Sequence, residues 1–225
     1  MVKGTGRLTR RMDHGGLEID RALRMGPGAG ARGLRMALLI GVIALTGPGQ
    51  SPAGAAPQVS EEYQVKAAFL YNFVKFVEWP KDRFSSDKDP IVIGVVGKDP
   101  FGEALDQVAQ KPVKDRTLVI KRFPSCPSED TDPVHPQLDA IRQCHVLFVC
   151  PSEKKVSKRL VAALGDAAIL IVGDTSGFLE EGGMVNFLVE ERKVRFEIGL
   201  AKARSAKLDI SSQLLRLAKR VDEGK

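Results

Sequence analysis

The chain has 225 residues, with 34 Lys+Arg against 28 Asp+Glu and a formal net charge of +6. Residues 1–56 hold eight of the bases and three of the acids, so residues 57–225 carry 26 bases against 25 acids, net +1. A near-neutral body excludes a phosphate-backbone binder, which needs clustered surplus positive charge. It is still long enough for one domain with its own core.

The N-terminal stretch comes first. Arg32 and Arg35 precede an apolar run over 36–45, then Gly47-Pro48-Gly49 and Ala53-Gly54-Ala55-Ala56. A basic flank, a short apolar core and small residues at the −3 and −1 positions describe a secretory signal peptide, cleaved after Ala55 or Ala56. The run is well short of the ~20 apolar residues that span a bilayer. Residues 1–56 are therefore expected to be leader and signal peptide, and 57–225 one periplasmic domain. The stretch 1–24 is unusual for a signal peptide, so Met25 or Met36 is an alternative start.

Ser60 followed by Glu61 and Glu62 marks a helix start, with a capping oxygen and acids in the first turn. Residues 65–77 are apolar almost all round except Lys66, Asn72 and Lys75, which predicts a mostly buried helix ended before Pro80. Phe69, Phe73, Phe76 and Val77 are expected in the core. Tyr71 and Trp79 are the candidate docking side chains.

Short apolar runs then alternate with helical stretches. Strands are expected over 91–96, 118–123, 145–149 and 168–172. Helices are expected over 101–108 behind Pro100, over 133–141, and over 153–164 capped by Ser152. Strands that read as unbroken apolar runs imply a sheet covered on both faces. Further on, 184–189 and 194–198 predict a hairpin pairing Val185 with Ile198, Phe187 with Phe196 and Val189 with Val194. Its other face brings Leu188 to Arg195 and Asn186 to Glu197, and a one-residue slip would mix the faces. Ser211 caps a final helix with Leu214, Leu215 and Ala218 inward. The expected fold class is α/β: a single domain with a largely parallel or mixed sheet flanked by helices, a C-terminal β-hairpin and a final helix.

Export puts Cys126, Cys144 and Cys150 in an oxidising compartment. Cys144 and Cys150 bracket a strand, and extended chain of that length spans roughly 20 Å, beyond the ~7 Å limit between bridged Cα atoms. Cys126 and Cys150 both follow strands, so Cys126–Cys150 is the preferred pairing, with Cys126–Cys144 open. A zinc site from Cys144, His145 and Cys150 lacks the usual ligand spacing, and no metal or cofactor is expected.

Catalytic signals are thin. Gly94, Gly97 and Gly102 fit neither GxGxxG nor GxxxxGK[ST], because Asp99-Pro100 follows Lys98. Asp174, Thr175 and Ser176 between Gly173 and Gly177 lack a GxSxG elbow. Beyond residue 56 only His135 and His145 remain, and a nucleophile relay is hard to assemble from them. Arg195 and Glu197 read first as a cross-strand surface pair.

The run Glu62-Tyr63-Gln64-Val65-Lys66-Ala67-Ala68-Phe69-Leu70-Tyr71-Asn72-Phe73 with Phe76-Val77-Glu78-Trp79-Pro80 resembles the opening signature of the YfiR family of exported proteins. Cys144-His145-Val146-Leu147-Phe148 and Gly182-Gly183-Met184-Val185-Asn186-Phe187 match its middle. Val194-Arg195-Phe196-Glu197-Ile198 and Ile210-Ser211-Ser212 with Leu214-Leu215 match its end. The similarity covers residues 62–221 in order.

That resemblance implies a small periplasmic α/β protein without enzymatic activity, often a homodimer. It would repress an inner-membrane diguanylate cyclase by engaging the cyclase's periplasmic region, with an outer-membrane lipoprotein relieving the repression. Lower cyclic di-GMP and altered biofilm formation would follow. Tyr71, Trp79, Arg195 and Glu197 are then the candidate partner-binding residues. Two departures stand out: three cysteines cannot supply the family's two-disulfide pattern, and Gly199 replaces the usual Asn after the Glu-Ile pair. Two other classes are also carried. One is a small-ligand module with a pocket near Gly97, Cys150 and Asp174. The other is an exported hydrolase using Asp174, Thr175 or Ser176.

Overall fold

The structure, a computed structural model, describes residues 60–127 and 132–224. The expected signal peptide and its cleavage point lie outside the described residues. Helix α1, Glu61–Phe76, begins with two acids against the helix dipole and ends with Lys75 in the last turn. Ser60 is extended at its N-cap and its carbonyl accepts from Tyr63 and Gln64, but its side chain makes no cap bond. The buried stripe is Lys66, Ala67, Leu70, Phe73 and Val74, the i, i+1, i+4, i+7, i+8 pattern of one helix face. This corrects the sequence reading at two positions: Lys66 is buried, and Val65 is 40% exposed.

The order of elements after α1 is β1 (Val77–Glu78), β2 (Ile91–Val96), α2 (Glu103–Ala109), β3 (Leu118–Phe123), α3 (Leu138–Arg142), β4 (Val146–Val149), α4 (Ser157–Leu164) and β5 (Leu170–Gly173). Then come β6 (Val185–Glu190), β7 (Lys193–Gly199), α5 (Leu200–Ser205), β8 (Asp209–Ile210), α6 (Ser212–Leu217) and β9 (Arg220–Asp222). Seven strands form one sheet in the order β3-β2-β4-β5-β6-β7-β9, and β1 pairs with β8 apart from it. β2 to β6 run parallel, β6–β7 is antiparallel, and β9 adds parallel to β7.

Strands β2 and β3 have the expected bounds, and every expected hairpin pair is formed, including Phe187 with Phe196 and Asn186 with Glu197. The hairpin turns on Glu191 and Arg192, both at positive φ, the conformation a two-residue turn of matching twist requires. Three helices are shorter than expected. Asp99 Oδ1 accepts the Phe101 N–H, so α2 starts at Glu103. The His135 ring takes the Gln137 N–H and delays α3 to Leu138. Ser152 does not cap α4; it closes a 3₁₀ turn, Pro151–Glu153. At the end, Ser211 Oγ does accept from Leu214, as expected.

Ile91, Ile93 and Val95 of β2 enter one core cluster, while Val92 and Val96 enter the other, so the sheet is buried on both sides here. The first cluster lies under α1, where Phe73 stacks on Phe187 at 5.6 Å and meets Phe196 edge-on at 5.2 Å. Truncating Phe73 to Ala would cost about 3–5 kcal/mol. The second cluster takes Leu160, Val161 and Leu164 from α4 but nothing from β6 or β7. Among the described residues the second apolar layer therefore stops at β5.

Candidate functional site

Strands β3 and β4 flank β2 on opposite sides, so the strand order reverses at the carboxyl ends of β2 and β4. Doubly wound folds open a ligand crevice at such a point. Here that point is closed. Gly97 sits at φ +104°, and a Cβ there would lie 2.5 Å from Ser152 Oγ and 2.7 Å from Glu153 Oε1. Glu153 is only 2% exposed, accepting from Ser152 Oγ and from the Cys126 N–H, each at 2.8 Å. Ser152 Oγ in turn accepts from the Lys98 N–H at 3.0 Å. Cys150 beside them is fully buried. The expected ligand pocket near Gly97, Cys150 and Asp174 is filled by the chain's own side chains.

Asp174 follows β5 and anchors α1. Its Oδ2 accepts from Tyr63 Oη and Lys66 Nζ, each at 2.8 Å, and both ion-pair side chains are almost fully buried. Lys66 also donates to Glu62 Oε1 at 2.5 Å and lies 4.4 Å from the Tyr63 ring centre. Burial, then the Asp174 carboxylate, pushes the Tyr63 phenol well above its ordinary range. Asp174 Oδ1 is buried without a partner. Asp174 is thus held by α1 and is not free to orient a catalytic base, while Ser176 nearby is exposed. Sequence reasoning missed this cluster. A lysine four residues after Glu62 on an otherwise apolar helix was its signal.

Both histidines are committed. His135 Nδ1 accepts from Gln137 N–H, and its Nε2 lies 2.9 Å from the Pro124 carbonyl. His145 Nδ1 accepts from Val92 N–H at 3.1 Å, and its ring stacks on Phe84 at 4.6 Å. Burial, and secondly the Arg83 charge, lowers its pKa to about 4, so at neutral pH it is the uncharged tautomer with the proton on Nε2.

The candidate partner-binding residues separate. Arg195 and Glu197 lie on the face of β7 opposite the aromatic cluster, where the second core layer is missing. Arg195 is exposed and pairs across the strand with half-buried Leu188. Glu197 accepts from Arg220 Nε at 2.9 Å and from Asn186 Nδ2 at 3.3 Å, and the buried Asn186 Oδ1 is unpartnered. The strand ends against Gly199, where a Cβ would lie 3.2 Å from the Gly183 carbonyl.

Tyr71 is half-buried and donates to the Pro112 carbonyl at 3.4 Å. Trp79 is a core residue, only 8% exposed, and this corrects its place among the docking side chains. Its rim helps line a pocket of about 440 Å³ with Phe84, Lys114 and Arg116. The Arg116 guanidinium lies 3.9 Å from the Phe84 ring centre.

Cys126, Cys144 and Cys150 are all free thiols. Neither expected bridge is formed, and the packing explains why. Cys150 belongs to the core layer under α1, whereas Cys126 and Cys144 belong to the opposite layer. Cys126 and Cys144 share a layer but sit at opposite ends of their strands. Among the described residues no group of three His, Cys, Asp or Glu side chains could hold a metal ion, and the Cys144–His145–Cys150 set does not converge.

A family profile described as YfiR/HmsC-like matches residues 63–219. The chain belongs to the YfiR/HmsC-like family. The matched region runs from Tyr63 through α6, so it holds the Lys66–Asp174 anchor, the Glu153 plug and the hairpin face, and leaves out β9. No curated protein matches. Among solved structures the YfiR/HmsC-like chain is similar to a conserved domain protein from Vibrio cholerae O1 biovar El Tor. Identity there is 12%, coverage 71% of this chain and 60% of that one, and the TM-score 0.49. It is also similar to an ABC domain in complex with L-Trp from Streptococcus pneumoniae, with 12% identity, 58% and 55% coverage and a TM-score of 0.45. The chain therefore spans less than two thirds of either structure's length. Among the described residues no helix is long and apolar enough to cross a membrane.

Proposed function

We propose that this chain is a periplasmic regulator that works by binding, repressing an inner-membrane diguanylate cyclase through the cyclase's periplasmic region. The observation that carries the reading is the YfiR/HmsC-like match over residues 63–219. The half-covered sheet supports it, because β6 and β7 carry Leu188, Arg195 and Glu197 on a face that has no second apolar layer among the described residues. A half-buried apolar residue set beside charged ones suits a protein partner. Repression requires tighter binding to the cyclase's inactive conformation, since equal affinity for both states shifts nothing. An outer-membrane lipoprotein competing for the chain would relieve it. The chain performs no reaction of its own in this reading, and its localisation follows from the expected signal peptide.

The test pairs deletion with a surface change. Deleting the chain raises cyclic di-GMP only while the cyclase is present, and Leu188→Asp with Arg195→Glu abolishes co-purification with the cyclase's periplasmic region while the melting curve is unchanged. Unaltered cyclic di-GMP on deletion refutes the reading. A second reading, a small-ligand module, is favoured by the pocket beside Trp79, Phe84 and Arg116. Metabolite-dependent thermal stabilisation without any cyclic di-GMP effect would select it.

A further inference from the structure

The strand at the β7 end of the sheet is lightly held. β9 has three residues, and the family match stops at Lys219, just before it. It joins β7 in parallel, with Glu197 beside Arg220, Ile198 beside Val221 and Gly199 beside Asp222. The Lys219 N–H donates to the Phe196 carbonyl at 2.8 Å. No side chain of β9 is fully buried: Val221 is half-buried, and Arg220 and Asp222 are exposed. The charged ties of the segment are Arg220 to Glu197 at 2.9 Å, Arg220 to Glu180 at 3.7 Å, and Lys219 to Glu190. Exposed pairs of this kind add little stability. A short edge strand with so little buried surface belongs to the part of a fold that opens first.

Lifting β9 would uncover the outer edge of β7, whose N–H and C=O groups then form a template for another strand. The seat so exposed is acidic, because Glu180, Glu190 and Glu197 are the carboxylates that Lys219 and Arg220 now meet. It also holds an unmet acceptor. Asn186 is only 4% exposed, donates its Nδ2 to Glu197 Oε1 at 3.3 Å, and leaves Oδ1 buried with no donor. Arg220 serves the carboxylate next door and not this oxygen. A buried acceptor without a donor is costly, so β9 is an incomplete occupant of its own site.

We propose that β9 is a resident competitor at the seat that takes the partner. A basic, extended segment of the partner displaces β9, adds to β7, and gives Asn186 Oδ1 the donor that β9 lacks. The pattern of the resident strand describes that segment: two bases and then a β-branched residue, running parallel to β7. An arginine or lysine lying between Glu197 and Asn186 serves both acceptors. Main-chain bonds supply affinity in such strand addition, and the basic pair selects the partner. The inference rests on the binding role proposed above and names the chemistry the partner brings, since Leu188 and Arg195 share this face of the sheet.

The probe is a fluorescein-labelled peptide of residues 217–224, read by anisotropy against the full chain. The unaltered chain should bind it at least tenfold more weakly than the Arg220→Glu variant, whose new carboxylate repels Glu180 and Glu197 and frees the seat. Equal binding by the two chains, or none by Arg220→Glu, overturns the proposal. The cyclase's periplasmic region should bind Arg220→Glu at least fivefold tighter than the unaltered chain. Asn186→Leu added to Arg220→Glu should weaken that region at least fivefold and leave the peptide's affinity unchanged. A cyclase affinity indifferent to both changes overturns the proposal as well. If the cyclase region binds neither chain while the peptide behaves as expected, the functional reading falls and the strand seat stands, so the two fail separately.

Discussion

The indole N–H of Trp79 donates to the main-chain carbonyl of His145 at 3.0 Å, tying the segment after α1 to the start of β4. The two rings also meet edge-on, with centroids 6.0 Å apart. Trp79→Ala should therefore cost about 3–5 kcal/mol in a urea titration, from lost packing and an emptied site. Tyr71→Ala removes a half-buried ring with one long hydrogen bond and should cost at most about 1 kcal/mol. An unchanged midpoint for Trp79→Ala would remove it from the core.

His145 predicts an acid-side loss of stability. Its folded pKa is lowered to about 4 from 6.5, chiefly by burial and then by Arg83. Above pH 6.5 both states are neutral there and no linkage exists. As pH falls from about 6.5 towards 4 the unfolded chain takes up a proton that the folded chain refuses, so stability falls across that window and levels below it. The contribution is of order 1–3 kcal/mol after allowance for solvent screening. His145→Gln, whose amide oxygen can accept the Val92 N–H, should flatten this part of the profile. An identical slope in both proteins would show that His145 is protonated when folded.

The Lys66–Asp174 pair predicts a non-additive cycle. Lys66→Met leaves the Asp174 carboxylate buried beside Tyr63 alone and should cost about 3–5 kcal/mol, and Asp174→Leu should cost a similar amount. Joined, they remove both charges, and most of the loss should be recovered. Additive losses in the urea midpoints would mean the two charges do not sense each other.

The thiols give a chemical readout. Burial raises the Cys126 and Cys144 thiols to about 11, and burial with nearby carboxylates raises Cys150 further. At pH 8 the folded chain should therefore react slowly with a thiol reagent, half-buried Cys126 leading. After denaturation without reductant, three thiols per chain should titrate. One thiol would mean that a bridge had formed.

Legibility in the sequence followed the length of the pattern. Val92 to Val96 and the hairpin residues were readable because β-branched runs and strict alternation leave one register that buries an apolar face. β1, β8 and β9 have two or three residues each and carry no period of their own; they exist because tertiary packing brings Val77 to Ile210 and Ile198 to Val221. The same rule divides the sites. Arg195 and Glu197 could be placed from strand alternation, whereas the meeting of Lys66 with Asp174 joins positions 108 residues apart. Trp79 misled because tryptophan favours both cores and interfaces, and only the His145 carbonyl decides between them.

Glu153 sits at the crevice where doubly wound folds seat a ligand, with its carboxylate already served by Ser152 and Cys126. A crevice stoppered from within cannot report metabolite supply by being filled. Whatever acts on this end of the sheet must reach it through the outer walls.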